Sequence, residues 1–167
     1  MHLAHKYSAT EMPHHFRDLA FAYLESSERL CRDMESGAWA ADYHKGQVTM
    51  LLAFHATELF LKGCIRAGSP GQAKNLHSLG ELLEEFSALF PKLHFEPPFG
   101  PEPVRADPES IAWALRTDAT LHQQLRYPTD TSGKPWNAER SFSADSFLRE
   151  LEGLRSDFVR ISSAVFT

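Results

Sequence analysis

The alternation of apolar and polar positions divides the chain into five helical segments. Between Pro13 and the breaker Ser36-Gly37, the residues Phe16, Leu19, Ala20, Tyr23, Leu30 and Met34 recur at helical spacing and predict an outer, amphipathic first helix. A second helix is expected to start near residues 41–44 and to stop at Gly68, Pro70 and Gly71. Its stretch VTMLLAFHATELFLKGCIR, Val48 to Arg66, is apolar around most of a helical wheel, so it belongs in the middle of the fold. Ser78 and Glu81 form an S-x-x-E capping box for a short third helix, whose face is Leu79, Leu82, Leu83, Phe86, Leu89 and Phe90 and whose stop is Pro91. Asp107, Pro108 and Glu109 supply the cap, first position and acidic first turn of a fourth. That helix runs towards Arg126 with Ile111, Leu115, Leu121 and Leu125 inward, and Pro128 ends it. A fifth spans Ser143 to Phe166, with Phe147, Leu151, Leu154, Phe158, Ile161 and Val165 at near-heptad spacing. No segment sustains a period of two, so the fold class is all-α.

The segments between the helices complete the plan. Residues 1–12 are polar and mixed, a loose N-terminal arm, while residues 91–107 hold five prolines with Phe95 and Phe99 and are expected to wrap the bundle as an extended loop. A turn-rich loop carrying Trp136 precedes the fifth helix. At 167 residues the chain can bury a core without disulfides or metal, and it reads as one domain, 1–167. Hydrophobic residues at 43% and charged residues at 23% exclude a disordered or fibrous class. A net charge of -5 argues against a broad nucleic-acid-binding surface and leaves room only for a local basic pocket. Cys31 and Cys64 lie in apolar helical contexts at no metal-ligand spacing, as reduced packing cysteines do. The first fifteen residues contain no apolar stretch of signal-peptide length, and no run reaches the ~18 apolar residues of a membrane span. A cytoplasmic protein with no membrane association is expected.

One polar stripe interrupts the buried second helix. His55, Glu58, Lys62 and Arg66 follow at helical spacings and share a side, and the fourth helix carries a matching stripe of Asp118, His122 and Arg126. Two accounts fit these charges. In the first they are structural: Glu58 pairs with Lys62 or with Arg126, and His55 donates to a backbone carbonyl. In the second the two helices enclose a cleft for phosphate, with Lys62 and Arg126 binding oxygens and a histidine acting as acid or base toward a ribose hydroxyl. The chain lacks a Gly-rich phosphate loop, H-E-x-x-H, C-x-x-C and G-x-S-x-G. His55 and Glu58 run in the reverse order of the E-x-x-H pairs of di-metal bundles and have no second copy, so neither metal nor cofactor is expected. His14 and His15 read as solvated surface residues.

Three strings in order, AFHATELFLKGCI, NLHSLGELL and LHQQLRYP, resemble the HEPN family, the higher eukaryotes and prokaryotes nucleotide-binding domain. The resemblance covers Tyr43 to Trp136. It implies an up-and-down bundle of four to five helices, homodimerisation and a role in RNA or nucleotide handling. It also implies a setting in toxin-antitoxin or defence systems, often beside a minimal nucleotidyltransferase partner. Glu58 and Lys62 match the family's E-x-x-x-K, His77 the histidine opening the third helix, and Arg126, Tyr127 and Pro128 its RYP segment. The nuclease branch of the family pairs an arginine with a histidine four to six residues on, a count that Arg116 and His122 meet as R-x5-H. Thr117 and the lack of a tyrosine two residues after His122 depart from that pattern. On a continuous helix Arg116 and His122 point about 120° apart, so they meet on one phosphate only across a dimer interface or through a local distortion.

The resulting expectation is a HEPN-like domain that binds a nucleotide, RNA or a partner protein through His55, Glu58, Lys62, His77, Arg126 and Tyr127. The enzymatic alternative is a metal-independent ribonuclease with Arg116 and His122 as its catalytic pair. The non-chemical alternative is a helical interaction module whose polar stripes only hold it together.

Overall fold

The computed structural model describes residues 8, 10–69, 77–99, 120–136 and 142–166. Five helices run through the described residues: α1, Met12–Glu35; α2, Tyr43–Gly68; α3, Leu79–Leu89; α4, described over residues 120–124; and α5, Ala144–Val165. Among the described residues there is no strand, only an isolated bridge between Thr129 and Pro135. Local chemistry sets the helix starts. Pro13 occupies the first turn of α1, where its missing N–H leaves no bond unmade. Asp42, Ser78 and Ser143 cap the next starts, accepting from the N–H groups of Lys45 at 2.9 Å, Glu81 at 3.3 Å and Ser146 at 3.5 Å.

Helix α2 is the axis of the molecule. It packs against α1, α3 and α5, and every residue from Ala56 to Ile65 is buried. Its Phe60 stacks on Phe158 of α5 with ring centroids 3.9 Å apart and planes 9° from parallel. Phe95, from the proline-rich segment, meets Phe60 edge-on at 6.1 Å and Phe86 of α3 at 6.0 Å. Residues 91–99 therefore close over the core, while 100–107 lie outside the described residues. At Gly63 the α1 and α2 backbones come so close that an added Cβ would sit 3.1 Å from the Pro13 carbonyl oxygen and 3.2 Å from Phe16 Cβ.

Two polar links tie α1 to its neighbours. Arg155 of α5 reaches the buried Glu28 with one guanidinium edge as a bidentate pair, Nε to Oε1 at 2.6 Å and Nη2 to Oε2 at 2.9 Å. Ser27 donates to the Thr49 carbonyl oxygen of α2 at 2.9 Å. The buried side of α1 is thus Ala20, Leu24, Ser27, Glu28, Cys31 and Met34, and Leu19, expected to face inward, is 37% exposed. The apolar count skipped Ser27 and Glu28 because their partners lie on other elements. Cys31 and Cys64 are buried and unbridged. One window of α2 has a mean hydropathy of 1.4, long and apolar enough to cross a membrane by composition, although no unbroken apolar run suggested it. In the fold 72% of that window is buried inside the protein, as in the core helix of a bundle.

Candidate functional site

Helical spacing carries His55, Glu58 and Lys62 to one side of α2, and the residue before the α3 cap, His77, closes over them. Glu58 is the centre. Lys62 Nζ donates to its Oε1 at 2.6 Å, His77 Nδ1 lies 2.9 Å from the same oxygen, and His55 Nδ1 lies 3.4 Å from Oε2. Burial pushes the Glu58 carboxyl up, but the hydrogen bonds from His55, Lys62 and His77 outweigh it and hold the group at about 2. An ionised carboxylate has no proton to give, so Nδ1 of each histidine carries the hydrogen and each Nε2 is left for another partner. The 3.4 Å approach of Lys62 Nζ to His77 Nδ1 is then proximity between two donors rather than a bond.

The cluster opens to solvent in one direction. Side-chain exposure rises from 4% at Glu58 through 11% at Lys62 and 27% at His55 to 64% at His77. Tyr23 of α1 braces the His55 ring edge-on at 4.8 Å. His122 of α4 lies within the electrostatic reach of Glu58, His77 and Arg126. Burial, then the Arg126 charge, lowers its pKa below the usual imidazole value against the pull of Glu58, so His122 is neutral at neutral pH. Its Nδ1 is enclosed and has no hydrogen-bond partner among the described residues. Arg126 itself is exposed. The Lys62 ammonium balances the Glu58 carboxylate, and the Arg126 charge is felt at His122.

Several sequence expectations change in detail. Helices α2 and α4 are neighbours, joined by Gln47 Nε2 donating to the Gln124 carbonyl oxygen at 2.9 Å. Glu58 is held by Lys62, His55 and His77 instead of Arg126, and His55 bonds the carboxylate instead of a backbone carbonyl. Arg66 leaves the stripe: its guanidinium lies 4.3 Å above the Phe16 ring and Nη1 donates to the Lys62 carbonyl oxygen at 3.3 Å. Tyr127 is exposed and lines a separate pocket with Tyr43, Gln47, Gln124 and Trp136, side chains that the helical wheels did not single out. Arg116 and Asp118 lie outside the described residues. Among the described residues no group of three or more His, Cys, Asp or Glu side chains is placed to hold a metal ion, and the Lys62 ammonium takes the cation's place beside Glu58 and His77. Set against models of protein families, curated proteins and solved structures, the chain matches none.

Proposed function

We propose that this chain is a HEPN-like up-and-down helical bundle that binds the phosphate of a nucleotide or of RNA at the Glu58 cluster. The observation that carries the reading is Nδ1 of His122, which has no hydrogen-bond partner among the described residues and lies within electrostatic reach of Glu58, a carboxylate whose own needs are already met. A purely structural cluster would satisfy that nitrogen. A phosphate oxygen accepting from His122, with Arg126 and Lys62 supplying charge, would satisfy it. Glu58 acts by orienting Lys62 and the two histidines.

The test is the dissociation constant of nucleoside monophosphates and short RNAs for wild type, Arg126→Ala and Lys62→Met. Arg126 is exposed, so its variant folds normally and binding is expected to weaken about tenfold, the cost of one charge-assisted contact. Equal binding by wild type and Arg126→Ala, or no binding by either, returns the cluster to the role of a structural interaction module.

His122 also favours cleavage as a second reading, because a neutral imidazole at neutral pH is the state a general base needs. In that reading His122 takes the proton of a ribose hydroxyl and an arginine stabilises the charged phosphorane. RNA incubated with the protein in chelator is then cut by wild type and spared by His122→Ala; intact RNA with wild type removes the reading. A cytoplasmic homodimer working with a minimal nucleotidyltransferase in a toxin-antitoxin or defence pair is the setting this proposal implies. Solution mass and the identity of the neighbouring gene test it.

A further inference from the structure

The pocket beside Tyr127 lies outside the Glu58 cluster, and its construction is specific. Tyr43, Gln47 and Met50 of α2 form one wall, Gln124 of α4 another, and Tyr127 and Trp136 the rim. The loop that carries the rim is fixed by its own bonds. Asp130 Oδ1 accepts from the Ser132 N–H at 2.9 Å, the Ser132 hydroxyl at 2.7 Å and the Lys134 N–H at 2.9 Å. Gly133 takes the turn with a φ of 82°, and Trp136 Nε1 donates to the Tyr127 carbonyl oxygen at 3.0 Å. The indole is therefore held in place before anything binds. Gln124 donates to the Thr120 hydroxyl at 2.8 Å, and its Oε1 is enclosed with no partner among the described residues.

Size and position narrow what fits. The cavity is about 110 Å³, well below the roughly 300–1,000 Å³ of sites that enclose a whole drug-sized ligand. It admits one planar ring and leaves any substituent outside. Three aromatic side chains with an unpaired amide oxygen suit a flat heteroaromatic ring bearing N–H groups, the chemistry of a nucleobase. Met50 precedes His55 on α2 by about 7.5 Å of helix axis at 1.5 Å per residue, and Gln124 lies between His122 and Arg126 in the chain. The pocket and the Glu58 cluster thus line the same α2–α4 junction.

We propose that this pocket is the base subsite of the nucleotide site, taking a nucleobase against Tyr43, Tyr127 and Trp136 with an N–H of its edge directed to Gln124 Oε1. The inference rests on the phosphate reading for the position of the ribose phosphate, and its test separates the two. Calorimetric titration uses the four ribonucleosides, their 5′-monophosphates and ribose 5-phosphate. At least one monophosphate is expected to bind roughly tenfold or more tighter than ribose 5-phosphate, the scale of one aromatic stack. Trp136→Leu should erase that advantage and leave ribose 5-phosphate unaffected, with Gln124→Met as a second variant should the loop rearrange and melting curves as the check on folding. Monophosphates that bind no better than ribose 5-phosphate overturn the base subsite and leave the phosphate reading standing. Nucleosides whose binding depends on Trp136, together with nucleotides indifferent to Arg126→Ala, support the subsite and remove the phosphate reading. Absence of binding by every probe overturns both.

Discussion

Both oxygens of Glu58 are occupied, and the group on Oε1 that matters most for stability is Lys62, whose ammonium has little solvent to fall back on. Replacing Glu58 with Gln keeps the shape and removes the charge, which leaves that ammonium enclosed without a counter-ion. A loss of about 3 kcal/mol is expected, the low end for breaking a buried pair because the mouth admits some water. The double variant Glu58→Leu/Lys62→Met should recover most of it in urea melts, and a double variant as unstable as the single one would show that the charges are not the cause. Acid should act in two stages. The lowered pKa of His122 means that stability is intact above the ordinary imidazole value of 6.5 and falls as the unfolded chain takes up a proton below it. The Glu58 contribution is intact above 4.5 and is lost as pH falls toward about 2. His122→Phe should abolish the upper stage and spare the lower; an unchanged upper stage would assign it to another group. Of these residues, His55, Glu58 and Lys62 could be read together from helical spacing alone. His77 could not, since it belongs to the entry of another helix and came only through the family resemblance.

At the scale of elements, the boundaries were legible because they are local chemistry. Pro13, the Ser36-Gly37 break and the side-chain caps at Ser78 and Ser143 place the described helix ends within a residue or two of the expected ones. Which flank of each helix faces a neighbour was less legible. A wheel reports an apolar arc, but Glu28 is buried because Arg155 arrives from 127 residues away, and Leu19 is exposed because nothing covers its edge of α1. The close approach at Gly63 is of the same kind. An alanine there gains intrinsic helix propensity, about 1 kcal/mol, yet its Cβ would press on the Pro13 carbonyl and the Arg17 backbone nitrogen. Backbone cannot rotate aside as a side chain can, so overpacking should win and Gly63→Ala should destabilise by a net 1–2 kcal/mol or so. A midpoint unchanged in denaturant would mean that α1 shifts freely. By contrast Gly153 meets nothing within 4 Å, and Gly153→Ala should be neutral or stabilising, which makes it the control.

At the scale of the molecule, α2 is at once the centre of the core and one wall of the candidate site, so opening the site by melting α2 would require unfolding everything packed on it. Cys31 on α1 and Cys64 on α2, two residues from Lys62, report on this directly. Burial pushes the Cys31 thiol up to about 12 and raises Cys64 as well, so neither is a thiolate in the folded state near neutral pH. Labelling with a thiol reagent should therefore proceed only through the unfolded chain, with the same opening free energy at both cysteines and equal to the value from urea melts. A bound nucleotide should slow both by one common factor, since it stabilises the folded state as a whole. Faster labelling of Cys64 than of Cys31 in native buffer would show that α2 opens locally, and a nucleotide that then protects Cys64 alone would place its binding energy on the stripe of His55, Glu58 and Lys62 instead of on the entire bundle. The apolar pattern announced that helix as the middle of the fold. It could not say that the helix also forms one wall of the candidate site, because that depends on His77, His122 and Trp136 arriving from three other parts of the chain.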